Sequence, residues 1–338
     1  MPATYGTIPG NLLSTFDVGF FPTDTAIHHE DLTDVLTIID SYQTPFFSGA
    51  PKTRARDVVH SWPIDALAAV SSAGAPDGVD HSGDTLTAPV RLWNGTQIFR
   101  WDVTVSDRER VANPAGIADM YDHQIMKAFK QLARNCEYTI FKNSGVTATG
   151  VASGIETIDV SAAPYMVGLR GLFGGGGQIT TVTASAATGF ITGDMVDLAQ
   201  TMFNNGAEPD SIWFAPATKL QFVNVTMGTA INVRNIAAAD QRLVANIDVF
   251  ETPFNQLFAV ITDRFIPMGT ASASGYAYYI GDRSMGKLAF YRPPQHKEMG
   301  KQGDNTRGLV LMELTLELTH PSAWGQFVNV TGASGLVT

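Results

Sequence analysis

Cysteine is almost absent from this chain, which has 338 residues and a single cysteine, Cys136. One cysteine cannot form an intramolecular disulfide or build a cysteine-rich metal cluster. Because Cys136 falls on the apolar stripe of a predicted helix, we expect it to be a small buried hydrophobic residue. The sequence therefore predicts neither a disulfide framework nor a thiolate metal site.

Basic residues and long apolar runs are also scarce. The 22 Lys and Arg are outnumbered by 32 Asp and Glu, which gives a net charge of −10. Proteins dedicated to nucleic-acid recognition are usually basic. No segment has the roughly 18 uncharged apolar residues that a membrane span requires, and the N-terminus has no basic region followed by an apolar run. These absences predict a protein made in a reducing cytoplasm that neither enters membranes nor recognises a nucleic-acid sequence.

Known catalytic motifs are missing as well. The chain has no Gly-x-Ser-x-Gly, no His-Glu-x-x-His and no Walker pair, and its seven histidines are scattered. His28 and His29 are adjacent, so they point apart on a helix or a strand. Glu313 and Glu317 lie on a predicted alternating strand, where a solvated face is favoured over an acid–base pair. The sequence predicts no enzyme, no cofactor and no metal.

The longest regular pattern is an amphipathic helix predicted over residues 117–143. Charged side chains, including Glu137, fall mostly on its other faces. At about 1.5 Å per residue the helix is about 40 Å long, so it needs long partners. Its apolar stripe recurs at three- and four-residue steps and consists of Ile117, Tyr121, Ile125, Ala128, Phe129, Leu132, Cys136 and Ile140.

The segments ahead of this helix have little core of their own. Residues 1–51 contain no Lys or Arg, and their Phe16, Phe20 and Phe21 are unusual for a free tail. We therefore expect an extended arm that lies on another surface. The strand-like segments that follow predict one long hairpin over residues 57–105. Such a hairpin is marginally stable alone, and its polar tip carries Asp77, Asp80 and Asp84.

Helices mixed with short strands over residues 192–291 predict an α/β lobe. It includes a predicted hairpin in which segments 276–280 and 287–291 pair across Gly281 and Asp282. The later strand, residues 308–319, alternates apolar and polar side chains, so we expect one buried and one wetted face. The long helix and this strand are natural partners, which makes the lobe an insertion in an α+β chain.

Five short sequence pieces occur in order between residues 40 and 330. They are Thr44–Phe47, Val59–Trp62 with Asp65–Ala69, Asn94–Arg100, Lys127–Asn135 and Met299–Asp304. The elements follow one another as arm, hairpin, long helix, inserted lobe and return strand. In both respects the chain resembles a family of tailed-phage major head proteins with the Hong Kong 97 capsid fold.

The resemblance implies an N-terminal arm over 1–56 and an E-loop hairpin over 57–105. It further implies a P-domain over 106–191 and 292–338, with the spine helix at 117–143, and an A-domain over 192–291. The role of residues 146–164 stays open.

The function implied is that of a major capsid protein, located in the virion. Hexamers and pentamers of the chain would form the icosahedral head around the double-stranded DNA genome, which is contacted non-specifically. A portal protein is an implied partner. The arm begins within about 30 residues of Met1, so any scaffold is expected to be a separate protein; a decoration protein is left open. Some relatives cross-link through a hairpin lysine, but residues 53–126 contain no lysine.

Two alternatives and one docking hypothesis remain at this point. The chain could be a tail or other virion structural protein, or an α/β enzyme such as a hydrolase. The acidic hairpin tip is either a solvated loop or docks on basic residues of a neighbouring subunit. The basic candidates are Arg54, Arg56, Arg283, Lys287 and Arg292.

Overall fold

A computed structural model describes residues 42–68, 70, 72, 74, 77–78, 88–112, 117–142, 166–169, 180–183, 192–229, 247–266 and 276–330. Its α-helices are α1 Pro45–Gly49, α2 Asp107–Val111, α3 Met120–Lys142, α4 Thr192–Asn204 and α5 Pro216–Thr229. Its strands are β1 Lys52–Arg54, β2 Val59–Ile64, β3 Val90–Gly95, β4 Gln97–Ser106, β5 Thr180–Thr183, β6 Ser211–Phe214, β7 Val249–Glu251, β8 Leu257–Thr262, β9 Tyr276–Gly281, β10 Gly286–Met299, β11 Asn305–Leu318 and β12 Trp324–Val330.

The long helix α3 packs on a four-stranded sheet with the strand order β1-β10-β11-β4. The predicted apolar stripe is confirmed, because Ala128, Leu132, Cys136 and Ile140 are all buried in one core with residues of β4 and β11. The helix has 23 residues, so it is about 35 Å long. It begins at Met120 rather than at the predicted residue 117.

The sheet is built around two strands of 14 residues each, β10 and β11. Their antiparallel register shifts on either side of Arg292. Pro293 and Pro294 follow Arg292 directly and lack the N–H groups that a regular ladder uses. The bulge falls just beyond Phe290, where the parallel partner β1 ends.

A six-stranded sheet with the order β5-β12-β9-β6-β8-β7 forms the second body of the fold. Alternate residues of its central strands point to opposite faces. Phe214 and Tyr278 pack in one core with α4 and α5, whereas Trp213 and Tyr279 belong to the core under α3. This sheet therefore joins the two cores. It takes strands from outside the expected 192–291 segment, namely β5 and β12, and leaves β10 to the other sheet.

The hairpin is shorter than the sequence suggests. Strand β2 pairs with β3 alone in a two-stranded sheet. The expectation that residues 97–105 also belong to the hairpin is wrong, because β4 pairs with β11. Phe99, Val103 and Val105 on one face of β4 are buried, and the core under α3 covers them.

The predicted pairing of segments 276–280 and 287–291 is also wrong. Strand β9 lies between β12 and β6, and β10 lies between β1 and β11. Tyr278, Tyr279 and Ile280 are all fully buried, so β9 is covered on both faces. Such a strand belongs inside a sheet rather than in an exposed hairpin.

Candidate assembly surfaces

The structure places some of the predicted contact residues and leaves others undescribed. Asp77 is exposed and precedes Gly78, whose φ of 75° is in the left-handed region that suits a turn. Five candidates lie outside the described residues, namely Phe16, Phe20, Phe21, Asp80 and Asp84.

Three of the five basic candidates have carboxylate partners within the chain. Arg283 Nε lies 2.9 Å from Asp210, and Lys287 Nζ lies 3.9 Å from Glu317. Arg292 Nε donates to Glu313 Oε2 at 2.7 Å. These contacts partly neutralise the three side chains, so they are weaker candidates for binding an acidic segment of another subunit.

Arg54 and Arg56 differ from the other three candidates. Both are exposed and flank the buried Ala55, whose N–H donates to the Phe290 carbonyl at 3.0 Å. They line an open groove of about 760 Å³ together with Tyr291 and Arg292. Within the described ranges neither Arg54 nor Arg56 has an ion-pair partner, so this groove has unneutralised positive charge at its rim.

The base of the hairpin is fixed to the rest of the chain by buried hydrogen bonds. Asn94 Nδ2 donates to the carbonyls of Val167 at 2.9 Å and Leu316 at 2.8 Å. Its Oδ1 accepts from the Val167 N–H at 3.0 Å. Trp62 Nε1 donates to the Leu318 carbonyl at 2.8 Å. The hairpin therefore leaves the body from a defined base.

The described residues that directly follow β2, 65–68 and 70, are all exposed. Leu67 and Val70 follow β2 and have relative exposures of 99% and 103%. Scattered exposed apolar residues are ordinary, but these two lie three residues apart just beyond the paired strands β2 and β3. The hairpin thus presents apolar side chains in addition to Asp77.

The expectation of a solvated face for Glu313 and Glu317 is wrong, because their relative exposures are only 4% and 8%. Thr96 Oγ1 donates to Glu313 at 2.8 Å, and His60 Nε2 lies 2.8 Å from Glu317. The hydrogen bond with His60 holds the pKa of Glu317 below its ordinary value. The hairpin base covers this face of β11, and alternation in the sequence does not reveal that cover.

The prediction that Glu137 lies on a polar face of α3 is wrong, because this residue is fully buried. Its two oxygens accept the N–H groups of Phe46 and Phe47, each at 2.7 Å. These groups belong to α1, so the carboxylate binds the start of that helix. Asp263, from the turn after β8, lies beside Glu137 and is 1% exposed. No motif in the sequence could have paired these two distant carboxyl groups.

The described part of the chain shows neither a metal site nor a membrane-spanning helix. No group of three His, Cys, Asp or Glu side chains there could hold a metal ion. None of its helices combines the length and the apolar character needed to cross a bilayer.

Comparison with known proteins gave matches over most of the chain. A family model described as SU10 major capsid protein matches residues 11–331. The major capsid protein of Escherichia phage Phieco32 is 23% identical over 335 residues, which covers 88% of this chain and 93% of that protein.

Solved structures share the fold at lower identity. The capsid of Cyanophage A-1(L) aligns with a TM-score of 0.67 at 13% identity, covering 91% of this chain and 99% of that chain. The capsid of Cyanophage P-SCSP1u aligns with a TM-score of 0.56 at 14% identity, covering 96% and 98%. The α+β fold is accordingly the Hong Kong 97-like fold of tailed-phage capsids. The extent of the family match shows that this chain belongs to the SU10 major capsid proteins, which build the shell of a phage capsid.

Proposed function

We propose that hexamers and pentamers of this chain close into the icosahedral head that encloses the double-stranded DNA of a tailed phage. The β2–β3 hairpin is the observation that supports contacts between subunits. Its base is fixed by buried hydrogen bonds of Asn94 and Trp62, while Leu67 beyond it is fully exposed. A second subunit that packs on this segment would bury the apolar surface, which contributes about 25 cal/mol of favourable free energy per Å².

Several further partners belong to the proposal. The arm, through Phe16, Phe20 and Phe21, lies on a neighbouring subunit. The subunits are synthesised and assembled in the host cytoplasm around a portal protein, and a separate scaffold or decoration protein is a further candidate partner. The net charge of −10 suits a container whose DNA must slide during packaging and ejection, since tight phosphate contacts would oppose sliding.

We further propose that the acidic hairpin tip docks in the groove beside Arg54 and Arg56 of a neighbour. Asp77, Asp80 and Asp84 supply the negative charge, and the two arginines are exposed. One exposed ion pair contributes only about 0–1 kcal/mol. The pairs would repeat at every copy in a shell, where each subunit is held by several contacts at once. Their summed contribution would therefore affect the stability of the whole particle.

Negative-stain electron microscopy of the purified full-length protein tests the shell. Closed particles of uniform size are expected, whereas tubes or isolated subunits under assembly conditions would contradict it. Deleting Pro2–Asp24 tests the arm, because the variant should remain folded and assemble poorly. Normal particles from the deletion would show that the arm is dispensable.

Salt dependence tests the tip contact, since exposed charges are screened beyond about 8–10 Å at physiological ionic strength. Replacing the three tip aspartates by asparagine should weaken particles at low salt and remove most of their salt sensitivity. Arg54→Gln with Arg56→Gln should have the same effect. Glu208→Gln, an exposed change on the other lobe, is the matched control. Unchanged salt dependence in both variants would contradict docking at this groove.

A further inference from the structure

A basic groove runs along the side of α3 that faces away from the sheet. It has a volume of about 220 Å³. No acidic side chain lines it in the described part of the chain. The lining residues are Tyr42, His123, Met126, Lys127, Lys130, Gln131 and Arg134.

The groove is lined by apolar as well as basic side chains. Met126 and Tyr42 have relative exposures of 60% and 64%. Lys130 Nζ lies 5.1 Å from the centre of the Tyr42 ring, a geometry that attracts the ammonium group to the aromatic face. An occupant that fits needs small apolar side chains next to a negative charge.

The direction of the chain at this point is set by two fixed contacts. Tyr42 lies at Lys130, and the N–H groups of Phe46 and Phe47 bind Glu137 further along the same helix. The segment from Tyr42 to Phe46 therefore runs parallel to α3. From Lys130 back to His123 the helix covers about 10 Å, a distance that about three to four extended residues span. The residues just before Tyr42 have the length to reach His123.

The composition of those residues matches the groove. The sequence immediately before Tyr42 is Thr37-Ile38-Ile39-Asp40-Ser41. It offers two apolar side chains for Met126 and one carboxylate for the lysines. No Lys or Arg occurs between Met1 and Pro51 to oppose the pairing.

We propose that residues 37–41 bind along this groove of their own chain, with Ile38 or Ile39 on Met126 and Asp40 between Lys127 and Lys130. The part of the arm just before Tyr42 is then held on α3 of its own chain, while residues nearer Met1 extend to a neighbour. The inference concerns contacts within one chain, so it does not depend on the shell contacts proposed above.

Carbodiimide cross-linking of the full-length subunit tests the groove directly, because the reagent joins a carboxylate to an amine only where they touch. The expected product, mapped by mass spectrometry, joins Asp40 to Lys127 or Lys130. Asp107 and Lys301, which lie 2.6 Å apart, are the positive control. Mixing isotope-labelled with unlabelled subunits shows whether the linked residues belong to one chain.

Each outcome is decisive for the proposal. A link between Asp40 and either lysine within one chain supports it. The positive-control link without the Asp40 link would overturn it, and so would an Asp40 link found only between labelled and unlabelled chains. Protection of both lysines only in DNA-filled particles would assign the groove to DNA instead.

Charge reversal gives an independent measurement. Lys127→Glu with Lys130→Glu should lower the thermal stability of the subunit, and adding Asp40→Lys should restore part of the loss. Lys142→Glu, an exposed change at the end of the same helix, should not respond to Asp40→Lys. Equal responses in the groove variant and the control would overturn the proposed contact.

Discussion

Glu137 and Asp263 form a buried carboxyl pair at the junction of α1, α3 and the turn after β8. Both Glu137 oxygens accept backbone N–H groups, and Asp263 Oδ1 accepts the N–H of Phe265 at 2.8 Å. Asp263 Oδ2 has no donor within the described residues. Two buried carboxylates side by side repel each other, which favours a proton on one of the two groups; that proton would supply the donor.

This pair makes the subunit sensitive to alkaline pH. Burial, reinforced by the neighbouring Asp263, raises the pKa of Glu137 from 4.5 to about 9, and burial also raises the pKa of Asp263. Because the folded state holds the proton more tightly than the unfolded state, the stabilisation is complete below the ordinary pKa of 4.5. It is lost as the pH rises towards about 9.

Asp263→Asn isolates this effect. The amide keeps an oxygen for the Phe265 N–H and places an N–H₂ donor against Glu137. We expect the variant to exceed the wild type in unfolding free energy at about pH 9 by about 1 kcal/mol, with a smaller gain at about pH 5. Urea denaturation of unassembled subunits measures the difference. Asp210→Asn, on the surface beside Arg283, is the control, and equal pH dependence in wild type and Asp263→Asn would contradict the shared proton.

Gly281 is a second position at which a single side-chain carbon would change the stability of the fold. A Cβ placed there would collide with the ring of Trp324, which is fully buried. Gly281→Ala should therefore destabilise the fold by about 1–3 kcal/mol through overpacking. Gly300→Ala is the matched control, because no atom lies within 4 Å of a Cβ at that position. Thermal denaturation should give a lower melting temperature for Gly281→Ala than for Gly300→Ala. Equal melting temperatures would show that the Trp324 ring moves to make room for the methyl group.

At the scale of elements, local periodicity predicted which segments form helices and strands better than it predicted their partners. The stripe of α3 and the alternation of β11 are visible within single turns and residue pairs. The partners of β4 and β10 are set by distant residues. Leu288, for example, pairs with Lys52 on one side and Leu316 on the other, and no local pattern encodes that choice.

The polar face of β11 shows the same limit. Alternation predicted that Glu313 and Glu317 share a face, which the structure confirms. It could not predict that the hairpin base covers this face through Thr96 and His60. Likewise, Arg292 looked available in the sequence, yet it binds Glu313 in its own chain.

The buried amide of Asn94 links the hairpin to the body, so its removal should destabilise the whole hairpin. Asn94→Ala removes three hydrogen bonds and leaves buried backbone groups of Val167 and Leu316 unpaired. Each unsatisfied buried group costs about 1–3 kcal/mol. Three such groups predict a loss of at least about 3 kcal/mol, with faster amide exchange in β2 and β3. Asn305→Ala removes one exposed bond and should leave the exchange in these strands unchanged; equal exchange in both variants would contradict the link.

At the scale of the whole molecule, the order of elements identified the fold although two strand pairings were mispredicted. Arm, hairpin, long helix, lobe and return strand form a sequence of parts that few folds share. The contact surfaces were less accessible to prediction. They depend on which charges are already neutralised within the chain, and only the folded structure separates Arg54 and Arg56 from Arg283, Lys287 and Arg292.

The chemistry available to the whole particle leads to the last prediction, that the assembled shell is held without covalent links between subunits. A lysine-to-asparagine bond through the hairpin needs a hairpin lysine, and residues 53–126 contain none. A disulfide between subunits would need Cys136, which is fully buried and whose thiol pKa is raised well above its ordinary value by burial. The thiolate that forms disulfides is therefore scarce and out of reach.

Purified mature particles boiled in detergent without reductant should run as a single band at the mass of one subunit. Bands at multiples of that mass that resist reductant would reveal a linkage through other side chains, and bands that disappear with reductant would show that Cys136 becomes accessible in the shell.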